Sequence, residues 1–104
     1  MKYFLGVDTG ATKSHALIAD EEGQVVGFGE AGTGNWESVG WRETAVVLND
    51  IVEQATIMAG IERPSIIAAG FGLAGYDWPE DLLPHAEIID GLYPAGDIGV
   101  GMMQ

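Results

Sequence analysis

Residues 8 to 13 read Asp8-Thr9-Gly10-Ala11-Thr12-Lys13, bringing an acid, two hydroxyls, a cation and two residues with little or no side chain into one short turn. Gly10 and Ala11 let the backbone come close to a bulky anion, so consecutive N–H groups can point at phosphate oxygens. Thr9 and Thr12 add hydroxyl donors and Lys13 adds a positive charge. Asp8 suits Mg²⁺ held through water beside nucleotide phosphates, the usual state of an ion that dehydrates reluctantly. Together these residues make sense as a phosphate clamp. Their spacing equally allows a plain hairpin turn closed by an aspartate side-chain bond. A Walker loop is excluded, because the glycine-lysine-serine spacing is absent and a strand follows the turn.

The turn needs strands to hold it, and apolar runs flank it. Tyr3 to Val7 and Ser14 to Ala19 read as two strands, and Gln24 to Gly29 reads as a third after the polar turn Asp20-Glu21-Glu22-Gly23. An antiparallel three-strand meander follows. Glu30 to Gly40 has no period and reads as a loop. From Arg42 to Ala59 the apolar positions Ala45, Leu48, Ile51, Val52, Ala55, Met58 and Ala59 draw a helical stripe, with Gly60 as its stop. Ser65 to Ala69 is a short apolar run, expected as a parallel strand covered on both faces. Gly70-Phe71-Gly72-Leu73-Ala74-Gly75 then reads as a loop at that strand's end, where α/β sheets gather ligands. Trp78-Pro79-Glu80-Asp81 starts a second helix, Leu82 to Leu92, expected to break near Pro84. Tyr93 to Gln104 is glycine-rich and aperiodic. The class is therefore α/β.

Composition narrows the functions open to such a chain. Sixteen acids against four bases leave a net charge of −12 over 104 residues, which disfavours nucleic acid and anionic membranes as partners. Nucleotide binding stays open, since backbone N–H groups and a metal ion neutralise phosphate locally. There is no cysteine, hence no disulfide and no thiolate metal site. With no signal-like start and no apolar stretch of about 18 residues, the chain reads as soluble and cytoplasmic.

Phe4-Leu5-Gly6-Val7-Asp8-Thr9-Gly10-Ala11-Thr12-Lys13-Ser14 resembles the first phosphate motif of the actin-like ATPases and sugar kinases, specifically the BadF/BadG/BcrA/BcrD ATPase family, which includes N-acetylglucosamine kinases. The meander, the loop Gly32-Thr33-Gly34-Asn35-Trp36, the long helix and the stretch Ala68 to Gly75 are similar to that family in order and spacing. The resemblance implies a ribonuclease H-like, actin-type ATPase lobe over residues 1–92, followed by a divergent tail over 93–104. It implies phosphoryl transfer from ATP to N-acetylglucosamine or a related hexose. Asp8 would lie by the metal and phosphates, Thr12 would contact ATP, and Gly10 and Lys13 would share the turn. Asn35 would contact sugar hydroxyls, a task that suits an amide, although a left-handed loop residue would look the same. Trp36 would stack on a sugar face or cover the core, and Gly72 and Gly75 would let backbone approach the substrate. Asp77 and Trp78 would border the pocket.

The family's catalytic base is an aspartate, usually in an Asn-Asp pair after the second helix. Asp97-Ile98-Gly99-Val100-Gly101-Met102-Met103-Gln104 contains no such pair, and neither Asp90 nor Asp97 takes the expected place, so no base is assigned. The second lobe is also missing, which implies a fragment or truncated product that self-associates, as a homodimer for instance, through surface normally covered. Two other readings stay open here: a non-catalytic module of the same fold, and a retroviral-type aspartic protease, whose signature Val7-Asp8-Thr9-Gly10-Ala11 resembles. Family activators carrying iron–sulfur clusters fit poorly without cysteine.

Overall fold

Alternating burial is what a two-residue side-chain period produces, and the computed structural model, which describes residues 1–93 and 99–103, has it from the first strand onward. In β1 (Tyr3–Thr9), Leu5, Val7 and Thr9 are buried on one face while Phe4, Gly6 and Asp8 are exposed on the other. β2 (Lys13–Asp20) and β3 (Val25–Gly32) complete the antiparallel meander. After α1 (Trp36–Ala59), β4 (Ile66–Leu73) lies parallel to β1; after α2 (Leu82–Leu92), β5 (Gly99–Met103) lies parallel to β4. The sheet order is β3-β2-β1-β4-β5.

One face of this sheet carries the core. Leu48, Ile51, Val52 and Ala55 of α1 pack with Leu5, Val7, Ile18, Phe71 and Leu73 of the sheet and Ile89 of α2. Each Val, Leu, Ile or Phe among them contributes roughly 1.5–3 kcal/mol by leaving water. Gly27 and Gly29 make the approach of α1 possible, because a Cβ on either would run into the helix carbonyls of Ala55 and Ile51 respectively. On the far edge, the Gln54 side chain accepts from Glu30 N at 3.1 Å and donates to Glu30 O at 3.0 Å. Those paired backbone groups would otherwise be an open strand edge.

Several boundaries differ from the sequence expectation. α1 spans Trp36 to Ala59 with Asn35 as its cap, but Gly40, at φ 83° and ψ 161°, is non-helical, so a short first turn meets the long helix at a kink and the uninterrupted helix starts just after Gly40, close to the expected Arg42. Its buried stripe includes Val47 and the polar Thr44 and Thr56, while Met58 is 64% exposed. The threonines can be buried because their hydroxyls donate to Gly34 O and Glu53 O. β3 runs on through Glu30 to Gly32, held by backbone pairing with β2 that side-chain pattern does not report. Gly70 to Leu73 belong to β4, so the loop starts only at Ala74. β4 is covered on one face, not both: Ile66, Ala69, Phe71 and Leu73 are buried, while Gly70 is exposed. Pro84 does not break α2. It stands in the first turn, where a backbone N–H has no helical partner to lose. Residues 99–103, expected to be aperiodic, form β5, whose pairing with β4 asks little of its glycines. Asp97 lies outside the described residues.

Candidate functional site

The β1–β2 connection is a tight turn closed by Gly10 N donating to Lys13 O at 2.8 Å. A Cβ on Gly10 would stand 2.8 Å from that oxygen, so only glycine fits there without a shift. Ala11, Thr12 and Lys13 are exposed at the tip, and Asp8 is exposed just before it on the uncovered face. Gly72 lies opposite Asp8 in the parallel ladder, and a Cβ there would come 3.6 Å from Asp8 Oδ1. Gly72 thus adds no side chain of its own beside that carboxylate, and Met103 Cγ stands 4.0 Å from the place that Cβ would take.

Two members of the expected clamp are engaged elsewhere. Thr9, expected as a hydroxyl donor to phosphate, is only 2% exposed. Its side-chain oxygen and its carbonyl both accept from Ala74 N, at 3.1 and 2.9 Å, which ties the turn to the segment after β4. This corrects the expectation: Thr9 points inward because it continues the buried set of β1. The Lys13 ammonium stands 3.2 Å from Glu30 Oε1. With Lys13 67% and Glu30 43% exposed, this pair is a weak tether from which the lysine can swing.

The second group lies at the start of α1. Asn35 Oδ1 accepts from Glu37 N at 3.0 Å, so this amide is first of all a helix cap. Trp36 Nε1 donates to Gly75 O at 2.7 Å. Gly75 has φ +90°, and a Cβ on it would meet Asn35 Oδ1 at 2.6 Å and Trp36 Cδ1 at 2.7 Å. One face of Trp36 is stacked on Trp41, with centroids 4.5 Å apart and planes 8° from parallel, and Trp41 meets the edge of buried His85. His85 Nδ1 is 2.7 Å from Asp81 O, a bond in which the ring N–H donates. Trp36 is therefore partly packing, with one face spoken for.

Asp8, Gly10, Ala11, Thr12, Lys13 and Gly72 thus gather at the ends of β1 and β4, while Asn35, Trp36 and Gly75 gather beside them at the start of α1. Gly72 belongs with the carboxylate rather than with the loop. Thr33 escaped the sequence reading. Its hydroxyl donates to Gly10 O at 2.7 Å and accepts from Asn35 N at 3.1 Å, so it bridges the two groups. Glu37 also escaped it, as did its pairing with Asp77, which was expected only as a border of the pocket. The Glu37 carboxyl is raised above its ordinary value, first by a hydrogen bond to Asp77, then by burial, and then by repulsion from Asp77 and Asp81. Nothing in the local sequence joins positions forty residues apart. Trp78 is 66% exposed, and the Asp81 carboxylate accepts from its N–H and from that of Asp77.

No set of three or more His, Cys, Asp or Glu side chains that could cage a metal occurs among the described residues. A lone, exposed carboxylate fits Mg²⁺, which takes one or two carboxylates and fills its shell with water and phosphate oxygens. A protease subunit of the retroviral type would be nearly all β, which the 24-residue α1 and the parallel β4 exclude. No helix among the described residues is long and apolar enough to cross a membrane.

Comparison with known proteins bears on the family and the fold. The family model described as the BadF/BadG/BcrA/BcrD ATPase family matches residues 5–82. A protein of Porphyromonas gingivalis described as an N-acetylglucosamine kinase superposes with a TM-score of 0.69 at 28% identity, over 95% of this chain and 34% of its own. One from Chromobacterium violaceum with the same description gives 0.69 at 21% identity, over 98% and 35%. A ROK family glucokinase of Streptomyces griseus, solved with glucose and AMPPNP, gives 0.63 at 22%, over 94% and 31%. The fold is that of the actin-like ATPase sugar kinases, and the chain spans about a third of the length of these structures. A search of curated proteins finds no match.

Proposed function

Because the chain belongs to the BadF/BadG/BcrA/BcrD ATPase family, we propose that it is the phosphate-gripping and sugar-facing lobe, residues 1–92, of an ATP-dependent kinase of N-acetylglucosamine or a related hexose. The observation that carries this reading is the β1–β2 turn, with exposed Ala11, Thr12 and Lys13 at its tip and exposed Asp8 in register with Gly72, which adds no side chain there. In this reading the Ala11 and Thr12 amides and the Thr12 hydroxyl hold phosphate oxygens, and Lys13 leaves Glu30 for the same charge. Asp8 holds Mg²⁺ through water, and the ion supplies neutralisation of the β- and γ-phosphate charge. Asn35 keeps Oδ1 on the helix cap and offers its amide donors to sugar hydroxyls, while Trp36 and the Gly75 backbone border that side. The cell compartment that goes with such a role is the cytoplasm.

A second reading, a non-catalytic module of the same fold, is favoured by one observation. The strand after the second helix is β5, and it carries Gly99-Val100-Gly101-Met102-Met103, with Met103 in register with Gly72, where the resemblance implies an aspartate. Asp90 is within α2. The chain would then bind and orient without taking the proton, and its exposed sheet face would support self-association.

Calorimetric titration with ATP, with and without Mg²⁺, separates these ideas from no nucleotide role. The expected result is binding that Mg²⁺ strengthens in the wild type and leaves unchanged in Asp8→Asn. ATP binding equally sensitive to Mg²⁺ in both proteins would rule out Asp8 as the metal's anchor. Release of ADP on adding N-acetylglucosamine would rule out the non-catalytic reading.

A further inference from the structure

Thr33 lies in neither ligand group, yet its oxygen is bonded to both. It donates to Gly10 O at 2.7 Å and accepts from Asn35 N at 3.1 Å, which uses the hydroxyl's proton and one lone pair. The peptide that carries Gly10 O also carries the Ala11 N–H, and a trans peptide is a rigid plane with those two groups pointing in opposite directions. Holding the carbonyl therefore aims the N–H away from Thr33, toward the open side of the turn. The same oxygen fixes the backbone of Asn35, whose side chain caps α1 through Glu37 N at 3.0 Å.

The loop around Thr33 cannot easily give way. Gly34 O accepts from the buried Thr44 hydroxyl at 3.0 Å, and a Cβ on Gly34 would stand 2.9 Å from Thr9 Cγ2 and 3.1 Å from Ser14 Oγ. A displacement of the Gly10–Ala11 plane must then pass through the Thr33 oxygen to Asn35 rather than be absorbed by slack.

We propose that Thr33 is a positioning residue that couples the phosphate turn to the sugar-side asparagine, so that a ligand on either one orders the other. This rests on the kinase-lobe reading, since it takes Ala11 N–H as a phosphate donor and Asn35 as a sugar contact. By linkage the coupling is reciprocal: sugar must tighten nucleotide by the factor by which nucleotide tightens sugar. Neither ligand needs to touch Thr33.

The test is amide NMR of the ¹⁵N-labelled 104-residue chain, titrated with Mg·ATP and separately with N-acetylglucosamine, in the wild type, Thr33→Val and Thr33→Ser. In the wild type and Thr33→Ser, each ligand is expected to shift the amides of both Ala11 and Asn35. In Thr33→Val, Mg·ATP is expected to shift Ala11 but not Asn35 and to bind roughly three- to tenfold more weakly, the range one hydrogen bond commands. Wild-type spectra in which each ligand moves only its own amide overturn the coupling, and this arm needs no variant to fold. Thr33→Val behaving as wild type overturns it as well. A wild type that shifts with neither ligand contradicts the kinase-lobe reading itself, and the coupling falls with it; that outcome is distinct from the other two, in which ligands bind.

Discussion

Gly75 shows how much a single position fixes. Its φ of +90° is a conformation that side chains resist, and the space where a Cβ would go holds Asn35 Oδ1 and Trp36. We predict that Gly75→Ala costs roughly 1–3 kcal/mol in denaturant unfolding, by backbone strain alone, and that it also disturbs the Trp36 fluorescence, since the indole N–H is bonded to Gly75 O. Glu37 makes a prediction in pH. Its carboxyl is raised by the hydrogen bond to Asp77, so the folded chain keeps a proton that the unfolded chain has released. Stability from this pair is thus fully present below the ordinary value of 4.5 and is lost as pH rises through the raised one. Melting temperatures of Glu37→Gln should lack that decline just above pH 4.5, and an unchanged pH profile would contradict the pair. Residues 8 to 13 were legible in sequence because everything they need is local. Thr33, Glu37 and Gly75 were not fully legible, because their partners Gly10, Asp77 and Trp36 come from other parts of the chain. Even Thr9, within the motif, was misread: strand alternation turned it inward, and residue type alone does not carry that information.

Among the elements, α1 does the positioning. It covers the core face of the sheet, its first residue is Trp36, and its cap is Asn35, so the sugar-side group depends on its packing. Leu48 is fully buried in that contact, and we predict that Leu48→Ala lowers unfolding free energy by about 2–5 kcal/mol. Pro84 serves as the opposite control. Because it sits in the first turn of α2, Pro84→Ala should change stability by less than about 1 kcal/mol; a large gain in stability on replacement would mean that the proline does strain the helix. The long amphipathic stripe and the strand alternation were readable because burial repeats with the element's own period. The short helical turn ahead of that stripe was not, because Gly40 interrupts the helix, and that turn is held by the Asn35 cap and the Trp36–Trp41 stack across the kink. β5 was hidden for another reason: its glycines give no side-chain pattern, and the strand exists through backbone pairing to β4.

At the scale of the molecule, a net charge of −12 has to live with a function that attracts phosphate. Self-repulsion among unscreened carboxylates weakens the folded state, so melting temperature should rise by a few degrees as salt goes from roughly 0.02 to 0.2 M, over which the screening length drops to about 10 Å or less. A flat or falling curve would show that the acids are paired more fully than their exposure suggests. The same charge leaves the anion to be held by local means, namely turn amides, one lysine and a metal beside Asp8. The most direct measurement is therefore a residue-by-residue amide shift map on adding Mg·ATP. The largest shifts are expected at Gly10 to Lys13, with Asp8 and Gly72 following. Shifts centred instead on the cleft between α2 and β5, around Leu83, Ile89 and Met102, or no shifts at all, would contradict a phosphate clamp at that turn.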